Sequence, residues 1–210
     1  MFYRLHFPRS LAAALLSSAM LIGLSSAALA QSNEVDFGGA KFPTTVKLHG
    51  TDLALNGGGV RYKAIFKVYA VALYTAKPCK TYQECMAVPG PKRVTMQFLR
   101  DNLNAKEFGQ MMTKGIEANV DRNSFTKSIP GMMKLGEYFA KYKRLTSFDL
   151  VNIDYIPNTG TVLTIKGDVQ EAIKEPEFYD TILSIWLGKS PVDGRLKEAL
   201  LIGANGKMPK

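Results

Sequence analysis

The residue with the clearest chemical potential is Arg61, which follows three consecutive glycines and opens a run rich in aromatic and β-branched residues, LNGGGVRYKAIFKVYAVALYT. If this run is one strand, alternate side chains share a face. The residues that share a face with Arg61 are then Lys63, Ile65, Lys67, Tyr69, Val71 and Leu73. Such a face begins cationic and becomes apolar, which suits a ligand with an anionic head and an oily body. The alternative is a solvated sheet edge with its lysines extended into water.

Other kinds of catalytic site are excluded by counting residues. His49 is the only histidine after residue 30, so a serine or cysteine nucleophile has no obvious base. We expect His49 to lie mid-strand with a structural role. The glycine run lacks the spacing of a phosphate-binding loop, and neither a metal site nor a cofactor is predicted. Methionines occur at helical spacing and are expected to fill the core: Met111, Met112, Met132 and Met133.

Both cysteines of the chain lie in the short segment KPCKTYQEC, as Cys79 and Cys85. This spacing in a polar loop favours a local disulfide in an oxidising compartment. Two free thiols are the alternative.

The N terminus has the three parts of a secretory signal peptide: Arg4 and Arg9, an apolar run over 11–24, and small residues ending at Ala30. We therefore expect residues 1–30 to be removed near Ala30, and residues 31–210 to form one domain in the periplasm or outside the cell. No other segment is apolar enough to predict a membrane span.

The mature chain is basic, because only two of the 27 basic residues and none of the 18 acidic ones precede residue 31, which leaves a net charge of +7. Export makes nucleic acid an improbable partner. Small anionic molecules, or transient contact with a membrane surface, fit better. Solvated charge without a partner is the alternative.

The order of the elements predicts an α+β domain in which a large antiparallel sheet is covered by helices. We expect strands over 44–55, 60–75 and 92–99, with a glycine turn over 56–59. Helices are predicted from Asn104 to about Val120 and from Pro130 onward. A hairpin turning at PNTG follows, then a helix that begins at Pro176 and a short helix over 194–202 capped by Asp193.

Three segments resemble the chalcone isomerase-like family. LNGGGVRYKAIFKVYAVALYT is similar to the opening turn and strand of that family, SFDLVNIDYIPNTGTVLTIKGD to its late hairpin, and FYDTILSIWLGKSPVDGRLKEALL to its closing helices. Together they cover nearly the whole mature chain, and their order suggests a bacterial exported branch related to plant chalcone isomerases and fatty-acid-binding proteins. The resemblance implies an open-faced β-sandwich with a ligand cleft between the sheet and the helices.

The same resemblance implies the site residues. Arg61 matches the arginine that stabilises negative charge in the enzymes and holds the carboxylate in the fatty-acid-binding relatives. Tyr69 and Tyr179 stand at positions of catalytic hydroxyls and are expected to be polar helpers. Phe108 and Met112 are expected in the apolar wall. Phe108 replaces a catalytic tyrosine and Gly115 an asparagine, which puts isomerase activity in doubt.

Three functions follow from these expectations. The first is a non-catalytic carrier of an amphipathic anion such as a fatty acid. The second is an intramolecular lyase or isomerase acting on a phenolic enone. The third is an interaction protein with a closed cleft, in which Arg61 pairs with Glu107 or Asp154. Because Arg61 and Tyr69 would be roughly 26 Å apart on a straight strand, they share a head-group site only if the chain bends between them.

Overall fold

A computed structural model describes residues 33–201 of the chain. The strands are β1 (Glu34–Phe37), β2 (Ala40–Pro43), β3 (Thr45–Leu48), β4 (Thr51–Lys63), β5 (Phe66–Thr75), β6 (Lys92–Phe98), β7 (Leu103–Asn104), β8 (Arg144–Leu145), β9 (Leu150–Ile156), β10 (Gly160–Ile165) and β11 (Asp168–Val169). The helices are α1 (Tyr82–Ala87), α2 (Ala105–Glu117), α3 (Arg122–Ala140), α4 (Phe178–Leu187) and α5 (Gly194–Leu200). The predicted signal peptide lies outside the described residues.

The main sheet is antiparallel, with seven strands in the order β11-β10-β9-β6-β5-β4-β3. Its alternating side chains are buried on both faces. Val71, Leu73 and Met96 pack into the larger core beneath the helices. Ala70, Ala72 and Tyr74 pack against the β1–β2 hairpin in a smaller second core. The predicted antiparallel sheet covered by helices is therefore confirmed, and the second covering layer is an addition that the sequence did not suggest.

Three predictions about the strands near the glycines are wrong. Residues 44–55 are not one strand, because the chain turns at His49, which has a positive φ of 47° and does not lie mid-strand. Residues 56–59 are not a turn, because they lie inside β4. The run over 60–75 is itself a hairpin that turns at Ala64, with a φ of 53°, and Ile65. Neither alanine nor isoleucine is common in tight hairpin turns, so this hairpin could not be recognised from the sequence.

The glycines serve close packing. A Cβ on Gly57 would collide with backbone carbonyl oxygens of α5, and one on Gly58 would collide with the ring of Phe37 on the opposite face. A Cβ on Gly59 would be 3.2 Å from the Leu196 side chain. The strand is thus pressed between α5 and the β1–β2 hairpin, and only glycine fits on both sides.

Of the four predicted helices, three begin within two residues of the predicted position, whereas α1 lies in a segment that was predicted to be a loop. Asn104 caps α2 by accepting a hydrogen bond from the Glu107 N–H, and Asp193 caps α5 in the same way. The exception is α3, which begins at Arg122 rather than Pro130, because Asp121 caps it by accepting hydrogen bonds from two backbone N–H groups. Within residues 33–201, no helix has the length and hydropathy needed to cross a membrane.

The loop between β5 and β6 is fastened twice. Cys79 and Cys85 form the predicted disulfide, which spans the start of α1. Asn56 is buried and bonds both backbone groups of Cys79, with its amide also donating to the Leu200 carbonyl at 2.8 Å. The disulfide loop, β4 and α5 are thereby joined at one side chain.

Candidate anion-binding site

The hairpin brings Arg61 and Tyr69 together. They are direct partners in the β4–β5 ladder, and the Arg61 Cζ atom lies 5.8 Å from the centre of the Tyr69 ring. A shared head-group site was expected to require a bend in the chain between these two residues. The turn at Ala64 and Ile65 is that bend. Both side chains face the helical layer, on the same side of the sheet as Gly59.

The Arg61 guanidinium lacks an acceptor within the described part of the protein. Its Nε and Nη1 atoms are buried and make no hydrogen bond. The closed-cleft hypothesis paired Arg61 with Glu107 or Asp154. The pairing with Asp154 is wrong, because this carboxylate accepts two hydrogen bonds of 2.6 Å from Arg93. Glu107 is exposed at the start of α2 and forms no salt bridge with Arg61. An unpaired buried cation is costly, so the site is suited to an anion.

Tyr69 supplies a second hydrogen-bond donor beside this cation. Its hydroxyl accepts a hydrogen bond of 3.0 Å from the Trp186 indole N–H, and no described residue accepts its own proton. Burial raises the pKa of Tyr69 to about 12, with Arg61 opposing and Asp193 adding to the shift. The hydroxyl is therefore protonated at ordinary pH and able to donate.

An aromatic cluster fills the space behind Tyr69. The Phe108 ring lies 6.0 Å from that of Tyr69 and 5.0 Å from that of Phe98, edge to face in both cases. Phe139 packs on the other side of Phe108, at 5.3 Å. Met112 is buried in the same core. The two residues predicted for an apolar wall, Phe108 and Met112, are thus part of a region occupied by packed side chains.

Tyr179 lies elsewhere. Its ring packs against Tyr155 with the centres 5.6 Å apart, and its buried hydroxyl has no hydrogen-bond partner within residues 33–201. Burial, reinforced by the nearby Asp154 carboxylate, raises the pKa of Tyr179 well above its ordinary value. Tyr179 precedes Trp186 by seven residues of α4, or roughly 10 Å along the helix axis. The structure does not bring it into contact with Arg61.

An open groove lies along the segment of β4 that carries Arg61. It has a volume of about 940 Å³ and runs along the last part of β4, between the β1–β2 turn and the start of α5. Its lining includes Gly59, Val60, Asp193, Gly194 and Leu196. Arg61 and Tyr69 are not among the lining residues, and the side chain of Val60 points to the opposite face of β4 from that of Arg61. Sequence reasoning missed the groove because its walls come from three separate segments.

Comparison with known proteins identifies the family. The sequence model described as chalcone isomerase-like matches residues 34–202. The chain belongs to the chalcone isomerase-like family. Among solved structures, it is similar to the crystal structure of an Arabidopsis thaliana fatty-acid binding protein, with a TM-score of 0.63 and 15% identity over 80% of this chain and 96% of that chain. That similarity shows a common fold and confirms the expected architecture. Among curated proteins, none matches this chain.

The two positions where the family resemblance implied a departure from the enzymes have clear surroundings. Phe108 is 4% exposed inside the aromatic cluster and has no hydroxyl to offer. A Cβ on Gly115 would be 3.1 Å from the side chain of Ile185 on α4, so an amide side chain has no room there. In the part of the chain that the structure describes, no three His, Cys, Asp or Glu residues are grouped to hold a metal ion.

Proposed function

We propose that this protein binds the carboxylate of an amphipathic molecule such as a fatty acid, with Arg61 as its anchor. The observation that carries the proposal is the buried guanidinium, whose Nε and Nη1 atoms have no acceptor among the described residues. A carboxylate binds a guanidinium with two parallel hydrogen bonds, either from Nε and Nη2 or from Nη1 and Nη2, so each of the two buried atoms can take part in such a contact. Tyr69, whose proton has no acceptor among the described residues, donates a further hydrogen bond.

We place the apolar body of the ligand in the groove. It runs along the same part of β4 that carries Arg61 and offers apolar surface from Val60, Leu196 and Ala199. Its volume lies in the range of small-molecule sites, about 300–1,000 Å³. The aromatic cluster around Phe108 offers apolar surface as well, but its rings contact one another, so a tail enters there only if they repack.

Two observations favour a carrier over an isomerase. The position expected to hold a catalytic tyrosine is Phe108, and the position expected to hold an asparagine is Gly115, where Ile185 fills the space. Without that hydroxyl and amide, the arginine can bind an anion but lacks the groups that orient a phenolic substrate.

Export is part of the same proposal. The first 30 residues have the pattern of a signal peptide, and a disulfide between Cys79 and Cys85 is stable in an oxidising compartment rather than in the cytosol. We therefore place the carrier in the periplasm or outside the cell.

The first experiment is native mass spectrometry of the protein released by the expressing cell, followed by titration of the delipidated protein with palmitate. We expect a bound carboxylated lipid in the wild type and at least about a tenfold weaker palmitate affinity in Arg61→Ala, because a charge-assisted bidentate contact is lost. Arg122→Ala, at an exposed position on α3, is the matched control. Hexadecanol, which lacks the carboxylate, should not discriminate between wild type and Arg61→Ala. Equal palmitate affinity in all three proteins would overturn the proposal.

A second pair of variants tests the groove. Gly194 lines it, and a Cβ there meets no atom within 4 Å, so Gly194→Phe should fill the groove without disturbing the fold. Gly136 of α3 has equally open surroundings, which makes Gly136→Phe the control. Palmitate affinity should fall only in Gly194→Phe. A loss confined to Phe108→Trp would instead assign the tail to the aromatic core.

A further inference from the structure

Exposed apolar side chains gather at one end of the main sheet. The β4–β5 turn carries three of them, Tyr62, Ile65 and Phe66, which are 46%, 84% and 56% exposed. We call residues 62–67 the hairpin tip. Six of the nine large hydrophobic residues exposed in the described part of the chain lie at this end of the sheet, the others being Phe148, Leu150 and Val169. Such clustering is not expected of an ordinary solvated surface.

The strand register shows that these residues share one end. At the base of the hairpin, Tyr69 pairs with Phe98, whose carbonyl accepts a 3.0 Å hydrogen bond from the Phe148 N–H. A 2.9 Å hydrogen bond from the Lys166 N–H to the Leu150 carbonyl joins the end of β10 to the start of β9. The neighbour of β10 on its other side is β11, which carries Val169. The row crosses six strands, from β4 to β11, which is about 24 Å.

Basic charge surrounds the hairpin tip. Residues 53–67, which lead into and form the tip, contain three basic residues and no acidic one. Lys63 and Lys67 lie within the tip, and the Arg100 Cζ atom lies 5.3 Å from the centre of the Phe66 ring. Aromatic and aliphatic side chains interspersed with cations are typical of surfaces that contact the headgroup region of a bilayer.

One nearby carboxylate is paired with a cation, whereas others keep their charge while accepting hydrogen bonds from neutral groups. Asp149 forms a 2.8 Å salt bridge with Lys166, Asp101 accepts hydrogen bonds from Ser147, and Asp168 accepts one from Tyr142. Asp36, across the groove from Tyr62, accepts a hydrogen bond from the Gly39 N–H. In the described structure Lys63, Lys67 and Arg100 have no carboxylate partner, so an anionic surface can pair with them. The Lys67 Nζ atom donates one 3.1 Å hydrogen bond to the Gly38 carbonyl and keeps further N–H donors for such a contact.

We propose that this end of the sheet docks on a membrane surface that contains anionic lipids. Ile65 and Phe66 enter the headgroup region, and Lys63, Lys67 and Arg100 contact lipid phosphates. A second copy of the chain is a poorer partner for the same surface, because two basic tips would repel each other. The inference does not depend on ligand binding, since it makes no use of the Arg61 guanidinium.

Co-sedimentation with vesicles tests the proposal. The protein released by the expressing cell, with its mass determined to establish its N terminus, is mixed with vesicles of phosphatidylcholine, with and without phosphatidylglycerol. We expect binding to the anionic vesicles, weakened by high salt. The double variant Ile65→Ser, Phe66→Ser should reduce the partition coefficient at least about tenfold, and Lys63→Glu by a similar factor.

Matched controls separate docking from general adhesion. Met133→Ser removes a residue that is 62% exposed on α3, and Lys77→Glu reverses an exposed lysine beyond the other end of β5. Both should sediment like wild type, and Arg61→Ala should as well, which keeps this test apart from that of the carrier. Absence of binding to anionic vesicles, or equal losses in the controls, would overturn the proposal. A dimer in solution that the double variant abolishes would assign the surface to a second copy instead.

Discussion

We expect Arg61→Met to make the ligand-free protein more stable while abolishing anion binding. Each of the two buried donors without an acceptor, Nε and Nη1, costs about 1–3 kcal/mol. We take the lower value because the residue is only partly buried. Methionine keeps the unbranched stem but loses the contact with the Tyr69 ring, worth up to about 1 kcal/mol. The balance is a gain of about 1 kcal/mol in the free energy of unfolding.

Arg93→Met is the matched control, because the same substitution should have the opposite sign there. The Arg93 guanidinium forms two hydrogen bonds of 2.6 Å with Asp154, whose side chain is 5% exposed. Removing the arginine leaves a buried carboxylate without its partner, at a cost of about 3–5 kcal/mol.

Urea unfolding of delipidated protein measures both effects. Trp186 is the only tryptophan, is 1% exposed and bonds to Tyr69, so its fluorescence reports on the core beside Arg61. Palmitate should raise the unfolding midpoint of wild type and leave that of Arg61→Met unchanged. If Arg61→Met lost 1 kcal/mol or more without ligand, the guanidinium would be a structural group and the reasoning would be wrong.

Three further predictions concern the fold. Gly57→Ala should lower the free energy of unfolding by more than about 3 kcal/mol, because its Cβ meets backbone atoms of α5. Gly136→Ala, in open space on α3, should raise it by about 0.5–1 kcal/mol. Equal effects of the two substitutions would contradict the packing account. Replacing Cys79 and Cys85 together by alanine should lower the free energy of unfolding by about 2 kcal/mol, as expected for a short loop, and an unchanged urea midpoint would argue against this. Burial raises the pKa of Tyr69 to about 12, so its contribution to stability is complete below about pH 10 and is lost between pH 10 and 12. A pH series should show the free energy of unfolding fall by about 2–3 kcal/mol from this residue, and a flat profile would refute this.

The sequence was informative where local physics decides the structure. Asn104 and Asp193 were recognised as helix caps because a side chain that accepts from backbone N–H groups two or three residues later is a local feature. The β6 strand followed from its strict alternation, and the disulfide from two cysteines in a short segment. The family resemblance added the topology, which no local pattern contains.

Contacts between segments that are distant along the chain could not be predicted from the sequence. The glycines of β4 resemble a turn until α5 and Phe37 are placed on either side of them. The hairpin that brings Arg61 to Tyr69 turns on Ala64 and Ile65, which have no turn preference and are held by their flanking strands.

The location of Arg61 connects the two proposals. In the β4–β5 ladder, Arg61 lies two residues before Lys63, the last paired residue of β4 before the turn, so the anion site and the proposed membrane contact belong to one hairpin. A fatty acid leaving a bilayer carboxylate first would meet this cation near the headgroup region. We therefore expect Ile65→Ser, Phe66→Ser to leave the affinity for palmitate in solution unchanged but to slow its transfer from anionic vesicles, measured by stopped-flow fluorescence of Trp186. Because Arg61 is intact in that variant, a loss of affinity in solution would mean that the tip shapes the site itself, and an unchanged transfer rate would mean that the ligand reaches Arg61 through water.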